Sequence, residues 1–400
     1  MPLTHRPRIP TSIWLLGFVS MLMDISSELI HSLLPLFMVT TLGISVFTVG
    51  VIEGLAEASA LVVKVFSGAL SDYWGKRKGI VVFGYALGAF TKPLFALAGG
   101  AGLVIAARLI DRVGKGIRGA PRDALIADLV APEVRGAAFG LRQSLDTVGA
   151  FAGPLLGVAL MLLWANDFRA VFWVAVIPAM LAVALMLCVK EPDSPPAALQ
   201  SPPFSRASLK RLGAAYWWVV VIGGVFTLAR FSEAFLLLRA QQSGLSLAYV
   251  PLILVAMNVV YAASAYPFGW LSDRMSHATL LAWGLMVLIA GNLVFAHGTD
   301  DAHLLMGVAL WGVHMGMTQG LLATMVAATA PADLRGTAFG FFNLLSGVAL
   351  LLSSVIAGWL WDTQGAAFTF YAGAAFALLA LLGLLLRWMW PQPADAQSLK

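Results

Sequence analysis

Five cations recur through one short stretch of this 400-residue chain: Arg108, Arg112, Lys115, Arg118 and Arg122. On a helix turning about 100° per residue they share an arc of roughly 120°. Leu109, Ile110, Val113 and Ile117 occupy the opposite side. The sequence on either side reads as membrane, and a cation at mid-bilayer costs roughly 2.5–3.5 kcal/mol on translocon scales. The stripe must therefore face a water-filled cavity, acidic partners, or both. Partners exist: Asp24, Glu28, Glu53, Glu57, Asp111, Asp123 and Asp146 stand against those five cations plus Lys64, Lys92 and Arg142. Seven acids against eight bases is near balance, which an ion-pair network would produce. Asp24 and Glu28 lie one turn apart, as do Glu53 and Glu57. A carboxylate held beside another in low dielectric can take up and release a proton. These four and Asp146 are the proton-coupling candidates; the alternative is a permanent salt bridge to the stripe. Arg108, Arg112, Lys115 and Arg118, with Arg230, Glu233, Asn258 and His314 further on, are the substrate-cavity candidates. Arg118, Arg122 and Asp123 also fit a gate.

These groups need helices to carry them. The chain is 60% apolar and 11% charged, with mean hydropathy +0.86. Soluble domains carry about 25% charge, so the composition reads as a polytopic, all-α membrane protein. Apolar runs predict twelve spans, near 13–40, 47–70, 80–99, 102–124, 137–164, 168–189, 214–239, 247–271, 279–297, 303–329, 337–360 and 366–389. They divide into two six-helix bundles, 1–190 and 214–400, joined by a Pro/Ser-rich linker at 191–213. Lys76, Arg77, Lys78, Arg135, Arg206, Lys210, Arg211, Arg274 and Arg335 fall in alternate loops on one side. By the positive-inside rule, that predicts a multi-pass inner-membrane protein with both termini cytoplasmic. The basic start, MPLTHRPRIPTS, reads as the lead into a retained first helix. A single cysteine, Cys188, gives no disulfide framework, and no metal or cofactor is expected.

The halves repeat. Gly-Ala-Leu-Ser-Asp at 68–72 recurs as Gly-Trp-Leu-Ser-Asp at 269–273, and Arg-Gly-Ala-Ala-Phe-Gly at 135–140 recurs as Arg-Gly-Thr-Ala-Phe-Gly at 335–340. Two matches at an offset near 200 residues are the parallel-repeat layout of rocker-type transporters. The loop Gly68 to Lys78, the run Arg108-Leu-Ile-Asp111-Arg112-Val-Gly114, and Gly140, Gly149, Gly153, Pro154 and Gly157 together make the chain resemble the major facilitator superfamily. That resemblance implies a conformational latch at Gly68, Asp72, Gly75, Lys76, Arg77 and Arg135, with Asp273 and Arg335 in the second half. It implies a coupling role for Arg108, although Asp111 and Arg112 depart from the family's usual Gln and Gly. The glycine pattern of the fifth helix is the one shown by the family's proton-driven exporters, with Val158 replacing its last glycine.

The reading that follows is a secondary transporter working by alternating access, exporting a small molecule or drug against protons. No enzyme motif is present, and no nucleic-acid partner is expected; the protein reads as a monomer in the bilayer. The alternatives are an importer or symporter of an organic anion gripped by Arg112 and Lys115, a metal or metal-chelate transporter suggested by His314 with Met315 and Met317, and a non-transporting receptor. His31 and His314 could relay protons or simply pack. Asp300, Asp301 and His303 could bind a cation loosely or form a solvated loop.

Overall fold

The computed structural model describes residues 10–74, 76–131, 134–190, 211–272, 274–298, 300–318, 320–331 and 334–389. Among them every regular element is helical, as a bilayer demands of chains that must satisfy their own backbone groups. The helices are α1 (Thr11–His31), α2 (Val46–Trp74), α3 (Arg77–Leu97), α4 (Ala101–Leu129), α5 (Arg135–Leu163), α6 (Phe168–Cys188), α7 (Ala214–Leu228), α8 (Ala234–Gln242), α9 (Leu252–Ser272), α10 (His277–His297), α11 (Asp301–Thr318), α12 (Leu321–Thr329), α13 (Arg335–Gln364) and α14 (Ala366–Met389). Nine segments among the described residues are long and apolar enough to cross a membrane. The twelve expected spans are consistent with these nine, the charge-striped α4, and the interrupted pairs α7–α8 and α11–α12.

Those interruptions depart from the single helices expected at 214–239 and 303–329, and the span expected at 13–40 likewise ends its first helix at His31 and continues as Leu34–Leu36 and a π-helical turn, Phe37–Thr41. In the seventh span, Arg230 N–H bonds Thr227 O and Leu236 N–H bonds Glu233 O, so the ladder tightens to the third residue back. Ser232 takes up the released groups: its N–H donates to Ser354 Oγ at 3.3 Å, and its own Oγ accepts from Ala234 N–H at 3.3 Å. A short polar side chain that competes for backbone bonds is what ends the helix here. In the tenth span, Gly320 sits at φ +77°, a conformation that costs other residues energy.

The chain forms two compact units, Met1–Leu34 with Val62–Ser201, and Pro35–Leu61 with Pro202–Lys400. In the first, α5 packs on α1 so closely that a Cβ added at Gly149 would lie 2.7 Å from Met21 O, and one at Gly153 would lie 2.8 Å from Ile25 O. Close backbone approach through small residues is how membrane helices associate when no hydrophobic effect separates protein from lipid. Helices α3 and α4 do the same at Gly84 and Gly114, each 2.8 Å from the other's carbonyl oxygen by that measure. Gly140 and Gly157 differ: nothing lies within 4 Å of a Cβ at Gly140, and Gly157 meets Leu33 at an ordinary 3.5 Å. Pro154 lies inside α5, which remains one helix through it.

In the second unit, residues 46–61 of α2 pack on α13. A Cβ at Gly54 would lie 3.0 Å from Leu351 Cα, and one at Gly358 would lie 2.8 Å from Phe47 Cα. Asp362 Oδ2 accepts the Phe47 N–H at 2.9 Å, satisfying a donor at the start of α2. Arg239 is buried and donates to Phe295 O and Gly298 O, closing the carbonyl end of α10. The sequence repeat is visible in both units: α5 begins at Arg135 after a Val134 N–H to Ala131 O bond, and α13 at Arg335 after a Leu334 N–H to Pro331 O bond.

Gly153→Leu is expected to destabilise the protein by about 1–3 kcal/mol or more through overpacking against α1. Gly140→Ala should be neutral. Thermal melting of the two variants in detergent, followed by size exclusion, checks the contrast.

Candidate functional site

Helix α4 buries its cations in protein. Arg108 is 2% exposed, and Arg112 and Arg118 are 4% exposed, so these three face neither lipid nor open water. The physical cost is met by neighbours on α1, α3 and α5. Lys92 on α3, 1% exposed, donates to Asp111 Oδ1 at 2.8 Å and to Ser27 Oγ of α1 at 3.0 Å. Arg108 Nη2 lies 2.7 Å from His31 Nδ1. A guanidinium has no lone pair to offer, so Nδ1 accepts and the imidazole proton sits on Nε2. Arg118 stacks over the Tyr85 ring, 4.8 Å from its centroid, and the Tyr85 hydroxyl lies 3.1 Å from Ser20 Oγ.

A second group lies further along α4. Arg122 donates to Ser20 Oγ at 3.0 Å and to Asp123 Oδ1 at 3.3 Å. Arg142 of α5 bridges Asp123 at 3.0 Å and Asp146 at 2.9 Å. Asp146 thus has its direct ion pair with a cation on its own helix, one turn away. Lys115 differs from the other α4 cations in being exposed.

The two α1 carboxylates stand apart from these pairs. Asp24 and Glu28 are half-buried and make no ion pair or hydrogen bond within the described residues. The charges acting on Glu28 are Lys115, Arg112, Asp24 and Arg108. Both carboxylates lie on the glycine face of α5: a Cβ at Gly149 would meet Asp24 Cβ at 2.8 Å, and one at Gly153 would meet Glu28 Cβ at 2.9 Å. The glycine pattern and the candidate proton sites are therefore one structural feature.

Glu53 and Glu57 lie in the part of α2 that packs on α13 within the second unit. Glu53 is fully buried, with Ser232 Oγ at 3.5 Å from its Oε2; Glu57 is half-buried. Arg230 and Glu233 flank the break between α7 and α8 rather than lying in a continuous helix. Arg230 sits over the Phe226 ring at 5.7 Å. His314 is buried, its Nδ1–H donating to Gly284 O at 2.8 Å while Phe226 packs on the ring, and its Nε2 has no hydrogen-bond partner among the described residues. Asn258 is half-buried on α9.

Of the latch residues, Gly75 and Asp273 lie outside the described residues, as does the side chain of Asp72. Gly68 is on α2, and a Cβ there would meet Ala120 of α4 at 3.3 Å. Lys76 and Arg335 are exposed. Arg77 pairs with Asp128 at 3.0 Å, and Arg135 donates to Ala127 O at 3.3 Å. The loop carboxylate Asp300 accepts both the His303 N–H (2.8 Å) and the His303 ring (2.6 Å), which together hold its carboxyl below the usual range. That tie is intact at neutral pH and is lost only as acid protonates Asp300.

A buried cationic helix, glycine-packed helix pairs and an internal repeat, all in one all-α membrane chain, are the features to compare with known proteins. The family model described as Major Facilitator Superfamily matches residues 16–354 and 234–400. The chain belongs to the major facilitator superfamily. It is 33% identical over 357 residues to an uncharacterized MFS-type transporter of Methanocaldococcus jannaschii, covering 88% of each chain. It is 25% identical over 345 residues to the multidrug resistance protein MdtH of Cronobacter sakazakii, covering 85% of this chain and 84% of that one. A crystal structure of the nucleoside transporter NupG superposes with a TM-score of 0.79 at 13% identity, over 94% of this chain and 99% of that chain. This superfamily member is a multi-pass membrane transporter, not an enzyme.

Within it, sequence reasoning missed what holds the cations in place. Lys92, Ser27, Ser20 and Tyr85 were not among the site candidates. The signal for two of them was present: Tyr85, Gly88 and Lys92 recur at helical spacing on α3, as Asp111, Gly114 and Arg118 do on α4.

Asp111→Asn is expected to cost about 3–5 kcal/mol, because it strands the buried Lys92 ammonium. Lys92→Met combined with Asp111→Leu should recover most of that loss. Folded yield and melting temperature of the single and double variants provide the check; equal loss in both would show that the pair is not a closed unit.

Proposed function

We propose that this transporter exports a small molecule in exchange for protons, and that Glu28 is the carboxylate that exchanges the proton. The observation that carries the reading is the contrast among carboxylates of the first unit. Asp111 is tied to Lys92, and Asp123 and Asp146 to Arg142, while Glu28 makes no direct pair among the described residues yet faces the charges of Arg108, Arg112 and Lys115. Proton uptake at Glu28 removes its attraction for those cations; release restores it. That change in local charge is what can bias a two-state helix pair. Asp24, one turn away and also without a direct pair, is its electrostatic neighbour.

Two further features support export. The glycine pattern of α5 packs directly behind Asp24 and Glu28, and one relative carries the name multidrug resistance protein. In this reading the protein works by alternating access as a monomer in the inner membrane, its basic loops and both termini cytoplasmic. Its two sequence halves are 1–190 and 214–400 with a linker between them, and Lys76, Arg77, Arg135 and Arg335 act at the cytoplasmic latch. A second reading, uptake of an organic anion, draws on one observation: Lys115 is exposed and makes no ion pair among the described residues.

Proteoliposomes holding a pH gradient separate the two. Tetraphenylphosphonium should dissipate the gradient through the native protein, and Glu28→Gln should still bind this cation but abolish the proton flux. If only benzoate dissipates the gradient, and Lys115→Gln removes that response, the anion reading replaces export. Undiminished proton flux in Glu28→Gln assigns coupling elsewhere.

A further inference from the structure

Away from the charged network, the first unit has a cavity of about 690 Å³ between the second half of α2, the start of α3 and the middle of α4. That volume falls within the range of small-molecule sites, about 300–1,000 Å³. Val63, Phe66, Leu70 and Trp74 form its α2 wall, and Gly79 and Phe83 its α3 wall. Phe66, Trp74 and Phe83 are each more than half exposed, so the cavity opens at the surface of the unit and is not part of its core. Its one hydroxyl, on Ser67, is turned to the backbone, donating to Gly116 O at 2.9 Å. Apart from the Trp74 indole N–H the other described side chains of the lining are apolar, so the part of a ligand that fits inside is hydrocarbon.

The length narrows the choice. From Val63 to Trp74 is 11 residues of helix, about 16 Å at 1.5 Å per residue. One leaflet of a bilayer holds hydrocarbon to a depth of about 15 Å, half of the roughly 30 Å core. A single acyl chain lying along α2 fits that length. At the Trp74–Gly79 end the chain turns through Lys76, Arg77 and Lys78. Arg77 is held by Asp128 at 3.0 Å, and Lys78 Nζ donates to Leu187 O at 2.8 Å. Lys76, exposed, lies in the chain between the lining residues Trp74 and Gly79. We propose that this groove binds an anionic phospholipid, one acyl chain lying between α2 and α3 and the phosphate resting at Lys76. The site is separate from Glu28, Lys92 and Asp111 and does not depend on the direction or substrate of transport.

Native mass spectrometry of the full chain in detergent, titrated with phosphatidylglycerol and phosphatidylcholine of identical acyl chains, tests this. Phosphatidylglycerol should bind at one site about fivefold more tightly than phosphatidylcholine, the effect expected of one lysine near an anionic surface. Glycerol phosphate, which has no tail, should not bind. Gly79→Phe adds bulk at a lining position where a Cβ meets nothing within 4 Å, and should weaken both lipids alike. Lys76→Glu should abolish the preference while leaving phosphatidylcholine unchanged. Phe83→Ala removes a wall of the groove without adding bulk, so it should weaken both lipids even if Gly79→Phe fails to fold. Equal binding of both lipids by the native chain, or native-like lipid binding in both Gly79→Phe and Phe83→Ala, overturns the proposal.

Discussion

A guanidinium group cannot be left in hydrocarbon, and much of the first unit is arranged around that fact. Helix α4 places Arg108, Arg112 and Arg118 inside the protein, where each needs an acceptor, a counter-charge or an aromatic face. Helix α3 brings Tyr85 beneath Arg118 and Lys92 onto Asp111, and α1 brings His31 to Arg108 and Ser20 to Arg122. These contacts require α3 and α4 to touch backbone to backbone, which Gly84 and Gly114 permit. Larger residues at that crossing would open the distance over which the short bonds are made. Polar chemistry and small-residue packing are therefore one constraint: the first sets which side chains must meet, the second lets the backbones come close enough.

The same logic gives the α5 glycines a meaning beyond packing. At Gly149 and Gly153 the helix surface is cut back where α1 carries Asp24 and Glu28. The two carboxylates lie against a backbone wall that offers no cation, while the cations of α5 and the far end of α4 are occupied with Asp123 and Asp146. A carboxylate without a direct partner, among others held in ion pairs, is the group whose charge state can change without dismantling its surroundings. Neutralising a paired residue such as Asp111 instead strands a buried ammonium, which makes it a poor proton carrier.

Different physics shapes the second unit. Its breaks at Arg230–Glu233 and at Gly320 interrupt spans, and at the first Ser232 and Ser354 supply hydrogen bonds to the freed backbone. Aromatic rings fill the space beside the first break: Phe231 packs with Phe235, Trp311 and Phe370. A span interrupted but enclosed by rings keeps Arg230 and His314 near Phe226 without exposing them to lipid.

The architecture was legible from composition and pattern. Twenty-residue apolar runs admit only helices in a bilayer, so the all-α reading, the repeat at 135–140 and 335–340, and the family resemblance needed no coordinates. The amphipathic stripe of α4 was also plain, because a cation's cost in hydrocarbon is a local property of each residue. What tertiary structure alone decided was who meets whom. Lys92 rather than a stripe cation pairs with Asp111, since pairing depends on which helix faces packs across the Gly84–Gly114 contact. The half-helix that carries Glu53 and Glu57 packs on α13 through glycines on both helices, a contact that the sequence does not announce. The broken seventh span was hidden for a related reason: a helix pattern continues through Arg230–Glu233, and only a partner 122 residues away, Ser354, makes the break affordable. Sequence periodicity reports what one helix would do alone, and these outcomes are set by helices far apart in the chain.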